Sequence, residues 1–368
     1  LCTRLAKQLP LADAGSLVTQ VVLSFVGHMA VAALAQGRGQ PEMTDLSLDL
    51  VQRYSATRRQ HPLAQGKGLL DAIAHATPTP EAQRLFHGRG GRFPGCEDWL
   101  LDWYAPVWLL TKFGEATPEE QAVLTQALQA RQEHLAPNQA LNAVLQCRVA
   151  GGSHTQVLIG AVPEPHVVSE DGAKYLVNLQ RGQNHGLFLD MAKGREWLKK
   201  HAQHENILNL FAYTCGFSVA ALQGGADEVV NMDMSKGALA IGKQNHLLNG
   251  FTAGARFLGH DIFKSWGKLR KLGPYDIVVA DPPSNQKGSF VATKDYVRLL
   301  RHLPELLADN AEVLLCLNAP ELDTQFLRQQ VAEAAPELEY LERLPNPASF
   351  ADISEEKSLK VLRYRLKA

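Results

Sequence analysis

Tyr275-Asp276-Ile277-Val278-Val279-Ala280-Asp281-Pro282-Pro283-Ser284 is the stretch on which the reading of this chain turns. Residues 275–280 form a short run rich in β-branched and apolar side chains, the pattern of a strand buried on both faces. Two prolines stiffen the chain as it leaves that run, and a carboxylate stands directly before them. A strand-tip carboxylate held this way points to chemistry more than to packing.

Working outward, the same rhythm repeats on both sides. Asn206–Phe211, Glu228–Met232, Ala255–Leu258 and Glu312–Leu317 read as further strands. Phe217–Gln223, Ser235–Leu248 and Asp295–Ala308 read as the helices between them. Strand–helix alternation predicts an α/β domain with a doubly wound, mostly parallel, Rossmann-like sheet and helices on both faces. Such sheets bind ligands beyond the carboxyl ends of their strands. The first strand ends in Phe211-Ala212-Tyr213-Thr214-Cys215-Gly216, where Gly216 allows close backbone approach to a ligand. It carries no GxGxxG fingerprint, which argues against a nicotinamide dehydrogenase. The second strand ends at Asp233, placed to accept from both hydroxyls of a ribose, or alternatively to cap the next helix, as Ser235 also could. The third leads to Asp261-Ile262, a carboxylate for an adenine amino group with an apolar side chain for the ring.

Ahead of this domain the texture differs. Residues 1–82 read as a helical segment without evident chemistry, with Thr77-Pro78-Thr79-Pro80 as a linker. The apolar stretch Leu17–Ala35 is interrupted by Gln20 and His28 and reads as a packed helix, not a membrane span or signal peptide. The chain begins with Leu, so its natural start is expected upstream. Residues 83–180 read as a small β-rich module: a hairpin about Ala105-Pro106, a helix over Pro118–Arg131, and strands at Val144–Val149, Gln156–Val162 and Lys174–Leu179. Residues 181–368 are expected to make up the α/β domain.

Composition narrows the function. The chain has 368 residues, with 37 Lys and Arg against 38 Asp and Glu, so no overall basic excess announces a nucleic acid and any RNA contact must be local. Local basic groups exist: Arg89 and Arg92 in the glycine-rich run His87–Gly95, and Lys264, Lys268, Arg270 and Lys271 after the third strand. Five scattered cysteines lack metal-ligand spacing and read as reduced thiols of a cytoplasmic protein. No metal is expected, and His154, His166, His185, His201 and His204 read as surface residues.

With those motifs in place, a family resemblance becomes specific. Asn209-Leu210-Phe211-Ala212-Tyr213-Thr214, then Asp233, then Asp281-Pro282-Pro283, resemble the class I S-adenosylmethionine-dependent methyltransferases that modify bases of large-subunit ribosomal RNA. The match is best to the bacterial branch with a β-rich module before the catalytic domain. Gln183-Asn184-His185-Gly186-Leu187-Phe188-Leu189-Asp190 is similar to that branch's Gln-Lys-Thr-Gly-Phe-Phe-Leu-Asp entry motif, and the resemblance runs over residues 84–368. It implies that S-adenosylmethionine is the cofactor and ribosomal RNA the partner. Phe188, Asp190, Phe211, Tyr213, Gly216 and Met234 would line the cofactor pocket, Asp233 would hold the ribose, and Asp261 with Ile262 the adenine. Asp281, Pro282, Pro283 and Ser284 would sit between the methyl group and the target base.

The chain also departs from the family. Met191-Ala192 stand where Gln-Arg is usual. Ser284 stands where amine methyltransferases carry an aromatic to stack on a flipped base, with Phe290 a candidate replacement. Cys316 falls where relatives that methylate cytosine C5 carry a nucleophile, but it lacks their Thr-Cys or Ser-Cys-Ser context and its apolar neighbours suggest an inert buried thiol. Asn318 and a small hydroxyl residue after the prolines match relatives that methylate guanine N7. The implied reactions are therefore guanine N7 or cytosine C5 methylation, with a non-RNA methyltransferase or a non-catalytic, cofactor-binding RNA-binding protein as alternatives.

Overall fold

The computed structural model describes residues 67–286 and 288–367; the expectations for residues 1–66, including the Leu17–Ala35 helix, lie outside them. The chain divides into two compact units, one containing residues 67–75 and 116–140 and the other residues 76–115 and 141–367. In the first, α1 (Lys67–His75) contacts α2 (Pro118–Leu135). Thr117 opens α2 with a capping box: its hydroxyl accepts from the Glu120 N–H while the Glu120 carboxylate accepts from the Thr117 N–H.

The second unit holds two sheets. β1 (Gln83–His87), β2 (Trp99–Tyr104), β3 (Val107–Phe113), β4 (Ala143–Val149) and β5 (Gly152–Ile159) form a sheet in that order, with β3 and β4 parallel and the other pairs antiparallel. The expected hairpin about Ala105-Pro106 is present, with Tyr104 opposite Val107. β5 starts earlier than expected because the turn at Ala150-Gly151, with Gly151 at φ 89°, folds the chain back at once. A separate hairpin follows, β6 (His166–Glu170) with β7 (Ala173–Val177).

Next come α3 (Ala192–His201), β8 (Asn206–Leu210), α4 (Gly216–Gln223), β9 (Glu228–Asp233), α5 (Lys236–Leu248), β10 (Ala255–Gly259), α6 (Trp266–Leu272) and β11 (Tyr275–Ala280). The chain continues through a short hairpin, β12 (Asn285–Gln286) and β13 (Phe290–Val291), into α7 (Ala292–Leu300) and β14 (Leu307–Leu317). It ends with α8 (Thr324–Ala334), β15 (Leu338–Leu344) and β16 (Lys360–Leu366). The seven-stranded order is β10-β9-β8-β11-β14-β16-β15, parallel from β10 to β14 and antiparallel at β16 and β15. This is the doubly wound sheet expected.

Alternate strand residues feed two cores. Leu208, Val230, Val278 and Leu315 pack on one face with Tyr296, Leu299 and Leu327; Ile207, Val229, Val279 and Leu314 pack on the other with Trp197, Leu198 and Phe217. Burial on both faces explains why these strands carry no polar alternation.

The helix expected over Asp295–Ala308 is corrected at both ends. Asp295 sits inside the first turn of α7, its carboxylate accepting from the Val291 N–H, so the helix begins earlier. Pro304 lacks the N–H an α-helix needs, the chain tightens into a 3-10 turn over Pro304–Leu306, and Leu307 already belongs to β14. His166 and His185 are also not surface residues: both are buried, bonded to the carbonyls of Ala105 and Asn178.

Candidate functional site

A cavity of about 610 Å³ opens beyond the carboxyl ends of β8, β9, β10, β11 and β14. Along the chain, Phe188 and Asp190 reach it from the entry motif; Phe211, Tyr213 and Gly216 from the first strand–helix turn; Asp233 and Met234, then Asp261 and Ile262, from the next two strand tips. Asp281, Pro282, Pro283 and Ser284 close the opposite side. Phe188 and Met234 are 41% and 52% exposed, apolar rims on an otherwise polar opening.

The turn after β8 is strained. Phe211, Tyr213 and Cys215 adopt left-handed φ values of 59°, 50° and 63°. Non-glycine residues there cost on the order of 1–3 kcal/mol each and persist where surrounding structure holds them. Here the Ala212 N–H donates to the Met232 carbonyl (3.1 Å), the Cys215 N–H to the Ala212 carbonyl (2.8 Å), and the Tyr213 N–H to Asp233 Oδ2 (2.8 Å). α5 also presses on this turn at Gly242, where a Cβ would meet Cys215 Sγ at 2.5 Å.

Behind the turn runs a buried polar chain. Asn209 Nδ2 donates to Asn231 Oδ1 (2.9 Å), Asn231 Nδ2 to Ser218 Oγ (2.9 Å), and Ser218 Oγ pairs with His246 Nε2 (2.8 Å). His246 Nδ1 meets the Gly242 carbonyl at 2.7 Å, which requires the proton on Nδ1 and leaves Nε2 to accept from Ser218. Burial lowers the pKa of this imidazole, consistent with the neutral form.

Of the two roles the sequence left open at the β9 tip, capping belongs to Ser235: its Oγ accepts from the Ala238 N–H at 3.2 Å. Asp233 instead accepts one backbone N–H on each oxygen, Tyr213 at 2.8 Å and Ser235 at 2.7 Å. Each carboxylate oxygen keeps capacity for another donor from the cavity. Asp261 Oδ1 accepts from the Phe263 N–H (3.0 Å), starting a 3-10 turn.

Asp281 is the most perturbed acid of the site. Burial pushes its pKa up to about 7, the neighbouring Asp190 adds to the rise, and Arg195 opposes it. Burial raises Asp190 too, against Arg84 and Arg195. The Ser284 hydroxyl is buried and has no hydrogen-bond partner among the described residues.

Cys316 is not in this cavity. Its side chain is 0% exposed and packed in the sheet core, and burial, then Asp281 and Asp190, push its thiol well above the usual range. None of the described cysteines lines the cavity. Phe290, the candidate stacking ring, is also core: it meets Phe211 and Tyr296 edge-on and stacks on Phe263. Asn318, one residue past β14, does line the cavity. Its loop is anchored by the buried Lys360, which donates to the carbonyls of Ala319, Glu356 and Ser358.

The sequence reading passed over several lining residues. Arg195, on α3, carried no motif signal. Gln286, Gly288 and Ser289 belong to the β12–β13 hairpin, too short to leave a period. Thr214 donates to the Gly186 carbonyl at 2.5 Å and so joins the turn to the entry motif. Away from the cavity, Glu115, Cys147 and His154 bring ligand-type atoms within 4.8 Å of one another, a grouping their sequence spacing did not suggest.

Known proteins share this arrangement. The family model for S-adenosylmethionine-dependent methyltransferases matches residues 83–365. Ribosomal RNA large subunit methyltransferase I of Aeromonas salmonicida is 31% identical over 301 residues, 80% of this chain and 72% of its own length. The protein of the same name from Aeromonas hydrophila subsp. hydrophila is 34% identical over 260 residues, 68% of this chain and 64% of its own length. A solved structure described as a methyltransferase complexed with S-adenosylhomocysteine superposes with a TM-score of 0.68 at 28% identity, covering 82% of this chain and 79% of that one.

Proposed function

The chain belongs to the S-adenosylmethionine-dependent methyltransferase family, and from that premise we propose that it methylates a base of large-subunit ribosomal RNA at a ring nitrogen, guanine N7. The cavity's donor set suits the cofactor. Asp233 has acceptor capacity on both oxygens for the ribose hydroxyls, Asp261 with Ile262 suits the adenine, and Phe188, Phe211, Tyr213, Gly216 and Met234 shape the walls. Asp190, Asp233, Asp261 and Asp281 give the cavity a negative field that favours a cationic ligand. When bound, the cofactor supplies an electrophilic methyl group on a sulfonium.

The position of Cys316 carries the choice of acceptor atom. Methylation at cytosine C5 requires a thiol that adds to the ring first, and this thiol lies in the core. Guanine N7 is nucleophilic without activation and has no proton to lose, so positioning is the main requirement. Methylation there leaves a cationic guanine, which an ionised Asp281 would stabilise. Ser284 and Asn318 line the cavity, and on this reading they hold the base by hydrogen bonds, Ser284 through an otherwise orphaned hydroxyl. The names of the relatives supply the substrate class, ribosomal RNA.

Within this reading, residues 83–180 act as an RNA-contact module. Arg89 lies 4.3 Å over the Phe113 ring with Arg92 and Phe93 exposed beside it, a cationic and aromatic surface for phosphate and base. Lys264 and Lys268 offer a second patch, whereas Arg270 is turned to Glu305 at 2.7 Å. Among the described residues no helix is long and apolar enough to cross a membrane. The buried cysteines Cys96, Cys147, Cys215 and Cys316 fit a reducing cytoplasm, where the substrate resides.

The test is transfer of labelled methyl to unmodified ribosomal RNA, with Asp281→Ala and Cys316→Ala beside the native chain. The reading expects label at guanine N7, lost in Asp281→Ala and kept in Cys316→Ala. Label at cytosine C5 that disappears with Cys316 would overturn it. Cofactor binding without transfer to RNA would point to another acceptor or to a binding role.

A further inference from the structure

We propose that Arg195, held in place by Glu170 of the β6–β7 hairpin, receives the carboxylate of the cofactor's amino-acid end through Nη1. This rests on the family's use of S-adenosylmethionine and is independent of which acceptor is methylated.

Four acids line the cavity, Asp190, Asp233, Asp261 and Asp281, and Arg195 is the single cation among the described lining residues. The ligand is a nucleoside joined through sulfur to an amino acid, so it brings one carboxylate that needs a cationic donor. Asp233 and Asp261 suit the nucleoside end and repel that carboxylate.

The hydrogen bonds of Arg195 say which of its atoms is available. Nε donates to Glu170 Oε1 (2.6 Å), and Nη2 donates to Glu170 Oε2 (2.8 Å) and to the Phe188 carbonyl (2.8 Å). These bonds use Nε–H and both Nη2 protons, leaving the two N–H groups of Nη1 without a partner among the described residues. The side chain as a whole is only 5% exposed, but Nη1 is not sealed from the cavity, so a ligand there can reach its idle donors. A Cβ placed on Gly216 would lie 3.9 Å from Nη1, which puts this donor beside the strained turn.

Glu170 is a positioning residue. It balances the buried guanidinium and fixes its plane, as a bidentate fork does. Its hairpin is itself bolted to the turn: the Leu176 N–H donates to Asn245 Oδ1 (2.8 Å), and Asn245 Nδ2 donates to the Thr214 carbonyl (3.0 Å). The hairpin does not itself line the cavity; it braces Arg195 and the turn from behind.

The test is calorimetric binding to the full chain of S-adenosylhomocysteine and of its analogue lacking the carboxylate. The native protein is expected to bind the analogue about 10- to 100-fold more weakly. Glu170→Gln with Arg195→Gln removes both charges, so no lone buried ion is left. This double variant should weaken S-adenosylhomocysteine to the level of the analogue while leaving the analogue unchanged. Glu170→Gln alone should reduce the native preference without abolishing it. Equal binding of both ligands by the native protein, which needs no variant to fold, would overturn the proposal. So would a double variant that weakens both ligands in the same proportion. Absence of all binding would instead count against the cofactor reading itself.

Discussion

The two halves of the cavity are built differently. On the side we assign to the cofactor, the walls are strand tips and the first turns after them, completed by the entry motif and by Arg195 of α3. Three left-handed residues, Phe211, Tyr213 and Cys215, are held there by bonds to β9 and by the approach of α5 at Gly242. On the side we assign to the acceptor, the walls are the Pro282-Pro283-Ser284 exit, the β12–β13 hairpin and Asn318, with small or neutral polar side chains and an unbonded Ser284 hydroxyl. The first half is rigid and acidic, as suits a ligand that never changes. The second is open to hydrogen bonding, as suits a base that must enter and leave.

If that division is right, damage to the first half falls on cofactor affinity and damage to the second on turnover. The largest effect is expected from Asp233→Ala. It would remove two charge-assisted contacts to the ribose and the acceptor that anchors the Tyr213 N–H. Affinity for S-adenosylhomocysteine, measured by calorimetry, should fall about 100-fold or more. A loss below about 5-fold would break the assignment of this half. Next comes Ser218→Ala, which interrupts the buried chain from Asn209 to His246 and strands His246 Nε2 and one N–H of Asn231 Nδ2, whose other N–H reaches the Arg256 carbonyl at 3.3 Å. Stability by denaturant unfolding should drop by about 1–3 kcal/mol, with a smaller change in cofactor affinity. The chain supports the turn from behind and does not line the cavity.

The same division sets what the sequence could disclose. Strand tips are legible because a buried parallel strand leaves a run of mostly apolar residues, and the first carboxylate beyond that run lies at or just past the tip, as Asp233, Asp261 and Asp281 do. Arg195 was not legible, because it reaches the cavity from a helix face and owes its place to Glu170, distant in sequence and recoverable only from tertiary pairing. Cys316 and Phe290 show the converse: the inert-thiol reading of Cys316 agrees with its burial, whereas the stacking role offered for Phe290 does not fit its place in the core. Both sit beside the right motif, yet strand alternation turns Cys316 into the core, and Phe290 fills the space beneath Phe211 and Phe263. The helix expected over Asp295–Ala308 failed for a local reason, the missing N–H of Pro304.

Asp281 stands where the halves meet, and its ionisation can be followed through pH. Its folded-state pKa is raised to about 7, so the folded chain holds this proton more tightly than the unfolded chain does. The stability linked to that proton is full near pH 4 and is lost as pH rises through about 7. Asp281→Asn removes the dependence. The variant should melt close to the native protein near pH 4 and above it near pH 8. A gap that does not widen with pH would place the perturbed acid elsewhere.

The smallest effect is the most selective. Ser284→Ala deletes one hydroxyl whose only unmet partner, on the present reading, is the target base. S-adenosylhomocysteine affinity should be unchanged, and the rate of methyl transfer to ribosomal RNA should fall about 2- to 10-fold, the worth of one neutral hydrogen bond. The direction across ligands matters more than the size. A matching loss in cofactor affinity would mean that Ser284 serves the cofactor side and that the boundary between the halves lies beyond it, toward Asn318. A loss confined to RNA would fix the boundary at Pro283, and the base would then be held by hydrogen bonds where amine methyltransferases use an aromatic ring.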